Sequence, residues 1–174
     1  MIVRPVRLDD AAAIAAIYAP YVTDTTITFE LDAPDAAAMA ERIATVTRMH
    51  PWLVAEEDGA VLGYAYGYPY RARPAYRWVA ETGIYLAQAA HGRGIGGTLY
   101  AALLEALASA GYVSAIGAIA LPNDASIALH ARLGFIHGGT QTGIGFKQGG
   151  WHDVGFWQRD LAPRTADPVE PQSR

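Results

Sequence analysis

The sequence predicts a single-domain α/β fold. The chain has 174 residues, 52% of them hydrophobic and 17% charged, which is the balance of a globular domain with a sizeable core. Segments with strand periodicity and helix periodicity alternate along it. A glycine-rich segment, residues 91–97, stands between a β-like run and a long helical pattern. From residue 163 onward Pro, Thr, Asp, Glu, Gln and Ser dominate, so we expect a domain over 1–162 and a disordered tail over 163–174.

The first third of the chain is predicted to form one strand and two helices. Residues 2–6 are predicted to form the strand. Asp9 and Asp10 favour the start of a helix, because carboxylates complement the positive end of the helix dipole. This helix is expected to run to about Tyr18 and to stop before Pro20. Apolar residues at helical spacing predict a second helix over 35–47.

The middle of the chain is predicted to form three strands. Asp58-Gly59 is a hairpin signal between the first two of them, and an arginine- and aromatic-rich loop over 71–76 precedes the third. These strands are expected at residues 52–56, 61–68 and 79–86.

The last part of the chain is predicted to contain two helices, a buried strand and a final hairpin. Gly111 and Gly134 are the expected C-terminal caps of the two helices. The hairpin begins at Phe135 and is interrupted at Gly149-Gly150. The helices are expected at residues 97–110 and 124–133, the strand at 114–121 and the second arm of the hairpin at 151–161.

Composition excludes several classes of function. The net charge of −4, with 13 Lys and Arg residues, argues against nucleic acid as a partner, because phosphate backbones require a basic excess. The absence of cysteine excludes disulfides, thiolate metal sites and a cysteine nucleophile, and it suits a cytoplasmic protein. No apolar run approaches the roughly 20 residues of a membrane span, and the N-terminal residues lack the apolar core of a signal peptide. We therefore expect no metal, no membrane and no nucleic acid.

The glycine-rich turn is typical of a phosphate site. Glycine allows close approach, and the N–H groups of the turn and of the following helix point toward an anion. A Walker loop would need Gly-Lys-Ser/Thr, which is absent. A dinucleotide fold would need an acidic residue roughly 20 positions on, where this chain has the apolar run 115–119. A glycine turn that binds no ligand is the remaining alternative.

The order of the elements and several segments resemble the GNAT superfamily of N-acetyltransferases, within it the phosphinothricin and methionine-sulfoximine N-acetyltransferases. The resemblance implies a mixed, mostly antiparallel twisted sheet flanked by helices. It also implies acetyl-CoA as co-substrate, a small amino acid as acceptor and a homodimer. The segments that carry it are residues 52–56, 61–66, 71–76, 121–124 and 145–158, together with the glycine-rich turn.

The resemblance also implies which residues bind the cofactor. The backbone of the fourth strand would hold the pantetheine arm, the turn would hold the pyrophosphate, and Asn123 would bond the arm. Asn123 or Asp124 is alternatively a plain helix cap. The implied cofactor-binding residues are Ile84, Tyr85, Leu86, Gly92, Arg93, Gly94, Ile95, Gly96, Gly97 and Asn123.

Glu81 and His130 are the implied catalytic pair. A carboxylate in an otherwise apolar strand is costly unless it is paired, exposed or used, so Glu81 is the candidate general base. Histidine has an ordinary pKa near 6.5, which suits either an acid or a base, and the sequence leaves both roles of His130 open.

Acceptor contacts are implied in the loop before the fourth strand and in that strand. Either arginine of the loop is suited to an anionic group through charge-assisted hydrogen bonds, and both are alternatively solvated loop residues. The implied substrate-binding residues are Arg71, Ala72, Arg73, Glu81, Thr82 and Gly83.

Two further groups are interpreted as structural. Tyr64, Tyr66 and Tyr68 share one strand face and are expected in packing or at a subunit interface, with one of them at the pocket. His152 and Asp153 point to opposite faces of a strand, which excludes a catalytic dyad between them.

The function predicted from these observations is acetyl-CoA-dependent acetylation of the α-amine of a glutamate-like amino acid such as phosphinothricin or methionine sulfoximine or sulfone. This activity would confer resistance to such inhibitors. Acetylation of a protein N-terminus or a polyamine, and a CoA-binding sensor without turnover, are the alternatives.

Overall fold

The computed structural model describes residues 1–172. Seven strands form one sheet and four helices cover its two faces. The strands are β1 Ile2–Pro5, β2 Trp52–Glu57, β3 Ala60–Pro69, β4 Val79–Leu86, β5 Ser114–Ala120, β6 Ile136–Lys147 and β7 Gly150–Asp160. The helices are α1 Ala11–Thr23, α2 Ala36–Val46, α3 Ile95–Ser109 and α4 Asp124–Arg132. Short 3₁₀ turns occupy Leu8–Asp10, Pro74–Tyr76 and Gln88–Ala90.

The strand order across the sheet is β1-β2-β3-β4-β5-β7-β6. All neighbouring pairs are antiparallel except β4 and β5, which are parallel. A parallel pair needs a crossover connection, and α3 supplies it between β4 and β5. The predicted α/β fold with a mixed, mostly antiparallel sheet is confirmed.

Each face of the sheet has its own core. One core contains α3 and the residues of β2 to β5 that face it, with Leu99, Leu103 and Leu107 fully buried. The other contains α1 and α2 against an aromatic face, where Trp52 and Tyr66 stack with ring centroids 4.4 Å apart. The two faces therefore offer different chemistry to any site that reaches through the sheet.

The first helix is longer than the sequence predicts. It continues through Pro20 to Thr23, although proline removes one helical hydrogen bond. Tyr18 and Val22, on either side of the proline, are buried in the second core. The expected stop before Pro20 is therefore wrong, because burial of the last turn offsets the lost bond.

Residues 163–172 contain no helix or strand, in keeping with their composition, but the end of this segment contacts the domain. Arg77 donates to both carboxylate oxygens of Glu170, and Trp78 Nε1 donates to the Val169 carbonyl at 2.9 Å. Gln172 N donates to the Ala110 carbonyl at 2.9 Å. The disordered tail stays a prediction, and its last two positions, 173 and 174, lie outside the described residues.

Within residues 1–172, no helix has the length and apolar character needed to cross a membrane.

Candidate active site

A cleft opens in the sheet where β4 and β5 separate. Their parallel pairing runs from Val79–Ser114 to Thr82–Gly117 and ends there, although β4 continues to Leu86 and β5 to Ala120. A cavity of about 80 Å³ fills the gap. Its walls include Tyr66, Tyr68, Ile84, Asn123, Ser126 and His130. Residues from both faces of the sheet therefore meet at one opening.

Ile84 carries the free strand edge in this cleft. Antiparallel neighbours alternate between pairs that exchange hydrogen bonds and pairs that point away. Ala87 N donates to the Leu62 carbonyl at 2.8 Å, and this bond shows which residues of β4 exchange hydrogen bonds with β3. Residues 81, 83 and 85 then bond to β3, and 82, 84 and 86 point toward β5. Thr82 reaches β5, and within residues 1–172 the N–H and C=O of Ile84 have no strand partner.

The neighbours of Ile84 differ from it. The phase of the ladder turns the Tyr85 backbone toward β3, so it cannot bond a ligand in the cleft. The Leu86 carbonyl accepts a hydrogen bond of 2.6 Å from the Tyr21 hydroxyl. Of the three strand residues expected to hold a pantetheine arm, the geometry leaves only Ile84 free to pair like an added strand.

The glycine-rich turn leads directly into α3. Gly92 and Gly94 have φ angles of +73° and +78°, which only glycine adopts readily, and the helix begins at Ile95. In the part of the chain that the structure describes, the N–H groups of residues 92–96 have no protein acceptor. They sit at the positive end of a 15-residue helix. This arrangement suits an anion such as a pyrophosphate.

Gly97 has no structural reason to be glycine. Its φ is not positive, and a Cβ built there meets no atom within 4 Å. Gly96 differs, since a Cβ there would lie 3.2 Å from Leu86 Cδ1. A side chain at Gly97 therefore has room within the protein, and Gly97 directly follows the unpaired N–H groups of residues 92–96.

Arg93 is held away from the turn by an ion pair. Its guanidinium lies 2.6 Å from the Glu57 carboxylate, and this contact lowers the pKa of Glu57. The positive potential of the turn therefore comes mainly from backbone N–H groups, and Arg93 would have to leave Glu57 to reach a phosphate.

His130 is buried on the α3 face of the sheet, with 4% of its surface exposed. Its Nδ1 lies 2.8 Å from the Ser126 carbonyl, which can only accept, so Nδ1 carries the proton. Its Nε2 lies 2.9 Å from the Tyr100 hydroxyl, which in turn lies 2.7 Å from Thr82 Oγ1. Burial lowers the pKa of His130, and the bond to Ser126 partly opposes that shift.

The imidazole also depends on a glycine in β5. A Cβ on Gly117 would overlap Nε2 of His130. Gly117 is the last residue of β5 paired with β4, so the ring lies where the two strands separate.

Glu81 lies on the opposite face of the sheet from His130. It stands across from Tyr68 in the β3–β4 ladder, and the Tyr68 hydroxyl donates to Oε1 at 2.5 Å. Burial and the nearby Glu81 charge raise the pKa of Tyr68. The structure thus places Glu81 and His130 on opposite faces of the sheet without direct contact between them. His130 lines the cleft, and Glu81 is bonded to Tyr68, which lines it too. Any joint role must act across a bound substrate.

Asn123 caps a helix and also lines the cleft. Its Oδ1 accepts a hydrogen bond from Ser126 N at 3.1 Å and so caps α4, which is one of the two roles that the sequence predicts for it. It also lines the cleft, and its carboxamide N–H groups have no protein acceptor among the described residues. The capping bond fixes the direction in which these donors point.

The arginine loop lies apart from the cleft. Arg71, Ala72 and Arg73 are exposed and line a separate hollow of about 240 Å³, whose wall also includes Arg77 and Glu170. The Arg71 guanidinium stacks 4.4 Å from the centre of the Tyr70 ring. The structure therefore does not bring these loop residues together with Glu81.

Thr82 and Gly83 line the cleft, and their implied acceptor role stays a prediction. The Thr82 hydroxyl points away from the Glu81 face and donates to the Ile116 carbonyl at 3.0 Å. Gly83 lies beneath Tyr66, because a Cβ there would come 2.8 Å from the ring. Both residues shape the cleft through packing and hydrogen bonds within the protein.

Three tyrosines contribute to the site beyond what the sequence predicts. The sequence places one of Tyr64, Tyr66 and Tyr68 at the pocket without indicating which, and it indicates no role for Tyr21 and Tyr100. Each acts through a partner that is at least 13 positions away in the chain. No local pattern carries such a signal.

His130 should make stability depend on pH. Its folded pKa lies below the ordinary value of 6.5, so the unfolded chain binds the proton more readily. Stability is then full above about pH 6.5 and falls as the pH drops below it. We expect the melting temperature of His130→Phe to depend less on pH than that of the parent between pH 6.5 and 5. His50, whose pKa burial also lowers, supplies a remaining slope. Equal slopes for parent and variant in calorimetry would contradict this account.

Comparisons with known proteins show the family to which the chain belongs. A model of the acetyltransferase (GNAT) family matches residues 14–135. A phosphinothricin N-acetyltransferase of Streptomyces viridochromogenes is 39% identical over 170 residues, covering 97% of this chain and 93% of the relative. An L-methionine sulfoximine/L-methionine sulfone acetyltransferase of Pseudomonas aeruginosa is 34% identical over 168 residues, covering 95% and 98%.

A solved structure shows the same fold. A GNAT superfamily phosphinothricin acetyltransferase from Sinorhizobium meliloti, crystallised in complex with acetyl-CoA, has a TM-score of 0.93 at 38% identity. The match covers 98% of this chain and 94% of that one. The resemblance predicted from the sequence is confirmed, and the chain belongs to the acetyltransferase (GNAT) family.

Proposed function

We propose that this protein transfers the acetyl group of acetyl-CoA to the α-amine of a small glutamate-like amino acid, such as phosphinothricin or methionine sulfoximine or sulfone. The observation that supports acetyl transfer most directly is the separation of β4 from β5. The free backbone of Ile84 lies on one side of this opening, and the glycine-rich turn follows β4 and leads into α3. The names of relatives that are 34–43% identical over most of their length support the acceptor class.

The cofactor site follows from three sets of donors and acceptors. Ile84 would pair with the amides of the pantetheine arm, and its N–H would face the thioester oxygen. The N–H groups of residues 92–96 would bind the pyrophosphate. The free carboxamide donors of Asn123 would bond the arm from the other wall of the cleft.

The acid–base chemistry is divided between the two faces. Glu81 would receive the proton that the acceptor ammonium must lose before its nitrogen attacks. His130, buried with Nε2 toward Tyr100, would serve either as a second base or, once protonated at Nε2, as an acid for the departing thiolate. The two groups lie on opposite faces of the sheet, Glu81 with Tyr68 and His130 with Tyr100.

We further propose that the chain works as a cytoplasmic homodimer. Ile144, Phe146 and Trp151 form an exposed apolar face on the hairpin of β6 and β7, at the open edge of the sheet. The Phe146 and Trp151 rings lie 5.2 Å apart as a cross-strand pair. An apolar face of this kind marks an interaction surface. Sedimentation equilibrium should give a dimer mass that Trp151→Glu lowers.

The function itself is tested by turnover. Purified protein and acetyl-CoA should release free thiol with glutamate-like amino acids in a panel that also contains polyamines and N-terminal peptides. Turnover restricted to polyamines or peptides would replace the proposed acceptor. Acetyl-CoA binding with no turnover on any acceptor would favour a sensor.

Gly97→Val should weaken acetyl-CoA binding without unfolding the protein. The side chain enters open space beside the unpaired N–H groups, so it opposes the pyrophosphate and not the fold. Isothermal calorimetry should show a clearly higher dissociation constant at an unchanged melting temperature. The control is Ala101→Val, which lies on α3 like Gly97. Gly59→Val would not serve, because the φ of +81° at Gly59 strains any side chain. Parent affinity in folded Gly97→Val would remove the turn from the site.

Arg71→Ala or Arg73→Ala should identify the anchor for the acceptor's anionic groups. Loss of a charge-assisted bond costs about 1.5–3 kcal/mol, which should appear in the acceptor KM with acetyl-CoA affinity nearly unchanged. Because both arginines lie outside the cleft, the loop must then move toward Glu81 on binding. Parent KM in both variants would place the anchor elsewhere.

Glu81→Gln and His130→Phe should each lower kcat by about 10² to 10⁴, the usual contribution of general acid–base groups. Acetyl-CoA binding should remain. If both groups serve one proton path, the double variant should lose less than the product of the single losses. A variant whose kcat equals that of the parent across the pH range would exclude its residue from the mechanism.

A further inference from the structure

The side chain of Tyr68 connects Glu81 to the cleft. Tyr68 lines the cleft, whereas Glu81 is absent from its described walls. The Tyr68 hydroxyl donates to Glu81 Oε1 at 2.5 Å, a distance within the range of charge-assisted O–H···O⁻ bonds. Both residues are half-buried. Tyr68 therefore stands between the cleft and the carboxylate that needs a proton from it.

The surroundings leave this contact isolated. Across from Glu81 on β5 is Ile116, which is apolar, and beside Tyr68 on β3 is Tyr66, stacked at 5.5 Å. On the side of α1 and α2, Glu30 and Arg42 neutralise each other in a two-bond ion pair. Glu41 and Arg42 line a hollow together with Tyr66 and Tyr68. His130 lies on the other face. Within residues 1–172 Tyr68 is the one hydrogen-bond partner of the Glu81 side chain, and no cation pairs with it.

We propose that Tyr68 is a proton relay between the acceptor amine and Glu81. This inference rests on the proposed function. The Tyr68 oxygen takes a proton from the acceptor ammonium while its own hydroxyl proton passes to Glu81 Oε1. The amine is left with the lone pair that attacks the thioester. Tyr68 begins and ends as a neutral phenol, and the carboxylate becomes a carboxylic acid.

The relay has to be concerted. A free phenolate at this position would be costly, because burial and the adjacent carboxylate both raise the pKa of Tyr68. Simultaneous transfer of two protons avoids that phenolate. It also explains why a carboxylate outside the cleft wall can still serve a substrate within it, without an ordered water in between.

Tyr68→Phe is the direct test, because phenylalanine keeps the ring and removes only the hydroxyl. We expect kcat to fall by about 10²-fold, the lower end of the acid–base range, with unchanged acetyl-CoA affinity. Tyr68→Phe/Glu81→Gln should be no slower than the slower single variant, since both residues serve one path. Parent kcat in Tyr68→Phe, or a double loss equal to the product of the single losses, would overturn the relay.

The pH profile separates the relay from mere packing. Removal of the Tyr68 hydroxyl takes away one group of the proton path, so the acid limb of kcat/KM should move in Tyr68→Phe. Tyr18→Phe is the matched control, because it removes a phenol that donates to a different carboxylate, Glu30, at 3.0 Å. Its acid limb should stay where the parent has it. A shift in both variants, or in neither, would contradict the proposal.

One measurement does not require turnover. The ¹³C chemical shift of the Glu81 carboxyl at neutral pH, assigned with Glu81→Gln, should differ between Tyr68→Phe and the parent, because the Tyr68 hydroxyl donates to Oε1. An unchanged chemical shift overturns the coupling that the relay requires. If the parent acetylates no acceptor, the proposed function fails by turnover, and this measurement still decides the coupling.

Discussion

The end of the β4–β5 ladder is the constraint on which the site depends. A parallel pair that stops at Thr82 and Gly117, while both strands continue, exposes backbone groups in the middle of a sheet. Unpaired buried N–H and C=O groups are costly, so such an opening persists only where a ligand or water satisfies them. Tyr21 covers the Leu86 carbonyl, and Ile84 is left for a strand-like ligand.

The same opening explains why the two proposed acid–base residues lie on opposite faces. Side chains alternate along β4, so Glu81 and Thr82 must point apart. Glu81 joins the tyrosine face with Tyr68, and Thr82 joins the α3 face with Tyr100 and His130. Only a cleft through the sheet lets both faces act on one substrate. The separation also keeps the Glu81 carboxylate from forming an ion pair with a protonated His130 imidazole. Such a pair would stabilise the charged form of both groups.

Local signals in the sequence predicted the parts of the site that are made by backbone. Gly92 and Gly94 mark the turn because their φ angles require glycine, and α3 begins at its end. The hydrogen bonds of Tyr68 and Tyr100 could not be predicted in this way. They depend on the register of strands joined by long connections, and a shift of one residue would turn each side chain to the other face. The loop over 71–76 shows the converse, since its residues line a hollow separate from the cleft and its implied acceptor role stays a prediction.

The buried polar network around His130 limits what that residue can do. Nδ1 is committed to the Ser126 carbonyl, so a proton can enter or leave only at Nε2. In the neutral ring Nε2 accepts from Tyr100. After protonation Nε2 donates, and Tyr100 must turn its own proton toward Thr82, whose hydroxyl then donates to the Ile116 carbonyl at 3.0 Å. Every group keeps a partner in both states, which makes reversal of the chain feasible at a buried site. The network thus ties the protonation of His130 to Thr82, two residues before the free edge at Ile84, so charge on the imidazole and occupancy of the cleft are expected to influence each other.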